Sequence, residues 1–103
     1  MRVELHLEAR AELRAAAMWY EERRPGLGDE FIAEVSSMFD RIGDVPASFP
    51  AWPGTAASPL SIRRAVVNRF PYVIAFEVHS DHTLVLAITH AKRRPLYWLT
   101  RAF

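Results

Sequence analysis

The chain has 103 residues, half of them apolar and about a quarter charged, enough to bury a core of its own: comparable chains bury roughly 60–70% of their extended surface. It contains no cysteine, which excludes a disulfide framework, a thiolate metal site and a cysteine nucleophile. The net charge of +1 hides an asymmetry, because residues 1–60 carry six Lys or Arg against ten Asp or Glu and residues 61–103 carry seven against two. A basic C-terminal half implies an anionic partner, phosphate or clustered carboxylates, against the plainer reading of a solvated surface.

No apolar run approaches the ~18–20 residues of a membrane span. The alternating N-terminus lacks the apolar region of a signal peptide. One domain over residues 1–103 is expected, with no membrane association. The absence of cysteine is compatible with a reducing cytoplasm, the expected location.

Met1–Leu7 alternates, with Val3, Leu5 and Leu7 on one side and Arg2, Glu4 and His6 on the other, as in a half-buried strand. His6 reads as an ordinary surface histidine. Glu8–Arg24 reads as a helix whose narrow apolar stripe is Ala9, Leu13, Ala16, Ala17 and Tyr20. Acids open it and Arg23 and Arg24 close it, as the helix dipole prefers; Pro25-Gly26 stops it. A second helix begins at Gly28 and is flanked by Leu27; Leu27, Phe31, Val35, Met38 and Ile42 share one face, and Gly43 and Pro46 end it. The short connection predicts an antiparallel hairpin, with Trp19 and Phe39 closing its edges.

Val45–Pro59 holds four prolines and reads as an irregular surface loop pinned by Phe49 and Trp52. Its length makes it either a functional loop or a tolerated insertion. Ser61–Asn68 is the next strand, with Ile62, Arg64 and Val66 alternating with Arg63, Ala65 and Val67. Tyr72–Val78 follows, then a hairpin tip at His79-Ser80-Asp81-His82, then an antiparallel return over Leu84–Ala91. His79 and His82 on an exposed turn make a poor metal pair, and no metal or other cofactor is expected. The order is β-α-α-β-β-β, an α+β fold in which an antiparallel sheet carries the N-terminal helical hairpin on one face.

Leu84–Trp98 organises the chain. A continuous apolar run suits a strand buried on both faces. It then delivers His90, Lys92, Arg93 and Arg94 to its end and stops at Pro95. A buried strand holds such side chains more accurately than a loop does.

Taken in order, Trp19-Tyr20-Glu21-Glu22 with Pro25-Gly26-Leu27-Gly28 and Phe31, Ile62-Arg63-Arg64, Arg69-Phe70-Pro71-Tyr72 with Val73-Ile74, and Ala87 to His90 with Arg93, Arg94, Pro95, Tyr97 and Trp98 make a pattern. It resembles the RelE/ParE superfamily of bacterial type II toxins, over nearly the whole chain. The β-α-α-β-β-β order agrees with the fold of that superfamily. The resemblance implies a cognate antitoxin whose acidic and apolar C-terminal segment wraps the helical hairpin and sheet, with Arg63 and Arg64 as carboxylate contacts.

The two branches imply different chemistry. A ParE-like member is a toxin that binds DNA gyrase and is not a nuclease; the basic strand exit is then a docking surface carried by Arg93, Arg94, Tyr97 and Trp98, against the plainer reading that Tyr97 and, more so, Trp98 cap the sheet edge or the core. The opening and closing motifs look more like this branch. A RelE-like member is a ribosome-dependent, metal-independent mRNA endonuclease. His90 would then act as base or acid, Lys92 and Arg93 would hold phosphate with Arg94 and Arg63, and Tyr97 would stack on a base or assist proton transfer. The single lysine weighs against it.

Overall fold

The computed structural model describes residues 1–55 and 61–102. The last part of the proline-rich loop predicted over Val45–Pro59 therefore lies outside the described residues. The elements are β1 (Arg2–Leu5), α1 (Leu7–Arg23), α2 (Leu27–Asp44), β2 (Ile62–Val66), β3 (Tyr72–Val78) and β4 (His82–His90), with short 3-10 turns at Pro46–Ser48 and Leu99–Arg101. This is the α+β order expected from periodicity.

The sheet order is β1-β4-β3-β2. Strands β2, β3 and β4 form an antiparallel meander, whereas β1 lies parallel to β4, Arg2 opposite His82 and Leu5 opposite Val85. The sheet is thus mixed at one edge. Two helices between β1 and the meander carry the chain back to the side of the sheet where it started, so β1 enters beside β4 in the same direction.

Leu7 departs from the predicted strand parity. The chain leaves β1 at Leu5, His6 accepts the Glu8 amide on Nδ1 at 3.1 Å, and α1 starts with Leu7 exposed. His6 thereby caps the helix, and an unmatched N-terminal amide finds an acceptor.

The α1 stripe packs as predicted, with Ala9, Ala16 and Ala17 buried. Small side chains let α2 approach closely. A β-carbon on Gly28 would lie 2.6 Å from the Ala17 carbonyl oxygen, so only glycine fits there. Glu21 spans the hairpin, accepting the Gly26 amide at 2.9 Å and the Gly28 amide at 3.0 Å. Gly26 takes φ +91°, a left-handed turn that glycine adopts without a Cβ penalty.

From α2, Phe31, Val35, Met38 and Ile42 complete a core with Ala65, Val67, Phe70, Ile74, Phe76, Val85 and Ile88 of the sheet side. Tyr20, Phe31, Phe70 and Tyr72 gather within it, with ring centroids 4.9 to 6.2 Å apart. They fasten both helices to the β2–β3 turn. Phe39 closes a core edge, but Trp19 stays about half exposed.

The far face of the sheet is covered as well. Ile62, Ala75, Leu86, Ala87 and the fully buried Trp98 form a second core, with Trp52, Leu84, Leu96, Tyr97 and Ala102 packed against it. A bulge opposite Ala75–Phe76 leaves Leu86 without a cross-strand partner. The extra residue turns Leu86 and Ala87 to the same side. Phe49 is buried and Trp52 meets Trp98 edge-on at 4.9 Å, so these two aromatics pin the start of the loop. The loop also shields the edge of β2: Arg64 donates its amide to the Pro50 carbonyl, and the Trp52 amide reaches the Ile62 carbonyl.

Candidate functional site

Strand β1 pairs only with the first half of β4, through Val85. Beyond that point no strand among the described residues borders the outer edge of β4, and its backbone groups need other partners. Side chains supply them. Glu12 of α1 accepts the Ile88 amide at 3.1 Å, and Arg101 donates to the Leu86 carbonyl at 2.9 Å.

The same two residues pair with each other, Arg101 reaching both Glu12 oxygens at 3.1 and 3.2 Å. Tyr97 donates its hydroxyl to Glu12 at 2.6 Å, and Arg93 approaches the same carboxylate at 3.6 Å. Arg93 also lies over the Tyr97 ring, 3.9 Å from its centroid. Burial, then the bond to the Glu12 carboxylate, pushes the Tyr97 phenol above its ordinary value. Tyr97 therefore stays protonated across the neutral range and serves as a donor. Neither Glu12 nor Arg101 stood out in the sequence.

Beside this network opens a cleft of about 560 Å³. Glu12, Ala15, Ala16, Trp19 and Tyr20 of α1 form one wall; Pro71, Tyr72, Ile88, His90 and Arg93 form the other. The alanines keep the wall low, and the rings make the lining apolar and aromatic with a cationic rim. Arg23 stacks on the exposed Trp19 at 3.6 Å and extends that rim. Tyr72 is raised above the ordinary phenol value, chiefly by burial.

His90 ends β4. Its ring stands edge-on to Tyr72 at 5.3 Å, and its Nδ1 accepts the Lys92 amide at 3.1 Å. The neutral ring then carries its proton on Nε2. On the other side of the strand exit, a smaller recess of about 170 Å³ is lined by Trp52, Arg64, Thr89, His90, Arg93, Arg94 and Trp98 among others. His90 and Arg93 border both spaces.

The structure brings His90, Arg93, Arg94, Tyr97 and Arg64 to one end of the sheet, with Lys92 exposed beside them. Two predicted contacts are corrected. Trp98 is fully buried in the second core, because the chain after Pro95 folds back over the far face of the sheet; it cannot touch a partner. Arg63 shares the helix-side parity of Ala65 and Val67, donates to the Phe49 carbonyl, and has its Nε buried. It fastens the loop instead of facing outward.

His79 and His82 stack with centroids 4.6 Å apart and planes 6° apart, each ring on a carboxylate, Glu77 or Asp81. Among the described residues, no group of three or more His, Cys, Asp or Glu is placed to hold a metal ion. No helix among them is long and apolar enough to cross a membrane.

A family model described as "ParE toxin of type II toxin-antitoxin system, parDE" matches residues 3–95. Among solved structures, a chain described as "Chromosomal ParDE TA system from P. aeruginosa" superposes with a TM-score of 0.73 at 18% sequence identity. The match covers 87% of this chain and 95% of that one. At that identity the likeness is one of fold. No curated protein matches the sequence.

Proposed function

This chain belongs to the ParE toxin family of type II toxin–antitoxin systems, and from that membership we propose that it arrests growth by binding DNA gyrase and is neutralised by a cognate antitoxin. The observation that carries the binding reading is the state of Tyr97. Its hydroxyl is spent on Glu12, its ring is covered by Arg93, and its phenol is held above the ordinary value. Metal-independent RNA cleavage needs a base and an acid aimed at one ribose and phosphate. A clamped tyrosine suits a rigid docking platform better. Arginine and aromatic residues presented at a rim are the types that dominate interface hot spots, and Arg93, Arg94, Trp19 and Tyr97 supply them here.

The antitoxin reading rests on charge. The excess of cations in residues 61–103 complements an acidic C-terminal segment, and Arg64 and Arg94 at the small recess are the carboxylate contacts we assign. Inducible expression without an antitoxin is the test. Gyrase poisoning gives DNA-damage signalling and filamentation. Immediate loss of translation with cleaved transcripts, abolished by His90→Ala, would establish the nuclease in its place.

A further inference from the structure

The small recess at the exit of β4 holds cations that the fold does not balance. Its floor follows from strand register: Val73 of β3 lies opposite Thr89 of β4, and Arg64, on β2 opposite Ala75, borders the same space from the next strand. Its rim is made where the chain turns back, at Arg93, Arg94 and Pro95. Pro95 restricts the backbone of Arg94 before it, and Leu96 after it takes φ +64°, so the turn has few conformations open to it.

No Asp or Glu lines this recess. The arginine ion pairs among the described residues engage Arg2, Arg24, Arg69, Arg93 and Arg101. Arg64 and Arg94 take part in none of them, and Lys92 stands exposed beside them. Like charges gathered at one place repel, and an anion between them relieves that repulsion.

The recess measures about 170 Å³, below the roughly 300–1,000 Å³ of pockets that enclose a whole small molecule. A single charged group enters it; a nucleotide does not. One carboxylate is filled by one guanidinium fork, which leaves the remaining cations unbalanced. A nucleic-acid backbone carries a charge at every nucleotide, so one phosphate enters while its neighbours run past Arg94 and Lys92 on the rim. His90 and Arg93 border both this recess and the larger cleft, which puts the site next to the surface proposed to dock on an enzyme that works on DNA.

We propose that the recess between Arg64 and Arg94 seats a backbone phosphate of duplex DNA; the choice of DNA rests on the gyrase reading above. No bond is made or broken there, and the contact carries no sequence preference. An antitoxin carboxylate reaching the same two arginines excludes the phosphate.

The test uses the purified full chain without gyrase. A short DNA duplex should bind with an affinity that falls as salt rises. Arg64→Gln and Arg94→Gln should each weaken that binding several-fold and flatten its salt slope by about one, with circular dichroism unchanged. Arg2→Gln removes the same charge at the other end of β4, beside His82, and should leave the duplex affinity nearly as it was. Amide resonances of residues 89–94 should move saturably with inorganic phosphate at constant ionic strength, and much less with acetate. Equal duplex affinity of the chain and its two recess variants, or equal weakening by Arg2→Gln, would overturn the proposal. Acetate as effective as phosphate would overturn it in favour of the antitoxin segment alone, and single-stranded RNA bound more tightly than the duplex would overturn the assignment to DNA. Duplex binding that meets every expectation, with no linear plasmid formed by gyrase, would uphold the phosphate site and overturn the gyrase reading alone.

Discussion

A glutamate in the first half of a surface helix ordinarily contributes little, but Glu12 accepts from a tyrosine, an arginine and a strand amide, and its side chain is only 13% exposed. Hydrogen bonds to charged groups are worth roughly 1.5–3 kcal/mol each, and an orphaned buried partner costs more than the bond gained. Glu12→Gln keeps one oxygen and loses the charge, so it should lower stability by about 1–3 kcal/mol, read as a smaller urea midpoint at unchanged slope. The Tyr97 phenol should titrate lower in that variant yet stay above the ordinary tyrosine value, since burial is the larger cause of its shift. Comparing phenolate absorbance with and without Tyr97→Phe isolates that one group. None of this was legible in the sequence. The partners of Glu12 lie 76 to 89 residues away, and helical periodicity carries no information at that distance. For Trp98 the sequence leaves contact and core both open, and burial decides for the core because the C-terminal segment folds back over the sheet.

Among the elements, the helices and the meander were readable because their apolar spacing is local. The stripe through Phe31, Val35, Met38 and Ile42 and the alternation of Arg63, Ala65 and Val67 hold in the structure. The parallel direction of β1 was not readable, since strand periodicity is the same in either direction. The closeness of α1 and α2 makes a sharp prediction. Gly28→Ala places a methyl group against the Ala17 carbonyl, and overpacking of that kind costs about 1–3 kcal/mol, measurable as a lower melting temperature. An ion pair adds to the aromatic tie between the hairpin and the β2–β3 turn and sets a pH dependence. Glu30 binds Arg69 at 2.8 Å and Arg24 at 3.1 Å, and the Arg69 bond foremost holds its carboxyl below the ordinary value of 4.5. A carboxyl depressed in the folded state stabilises fully above its unfolded value, and the contribution is lost as pH falls through the folded one. Stability should therefore drop on acidification below about pH 4.5, less steeply in Glu30→Gln; equal slopes would detach this ion pair from folding.

At the scale of the whole molecule, the asymmetry of charge along the chain becomes an asymmetry in space. The excess cations of the C-terminal half crowd the end of the sheet, where Arg64, Arg93 and Arg94 border the two recesses at the exit of β4. Their roles should separate on mutation. Arg64→Glu should weaken an antitoxin complex and flatten its salt dependence while leaving the fold intact. Arg63→Glu should instead destabilise the fold, because Arg63 holds the Phe49 carbonyl; binding loss without destabilisation there would contradict the division. On the proposed function, the Arg93–Tyr97 platform and the adjoining cleft dock on gyrase. Purified chain incubated with gyrase and supercoiled plasmid, then treated with detergent and protease, tests it directly. Linear plasmid should accumulate with toxin concentration, with at least a tenfold loss of that activity in Arg93→Glu, a change of ~1.4 kcal/mol or more. Plasmid topology indistinguishable from the toxin-free control would contradict it.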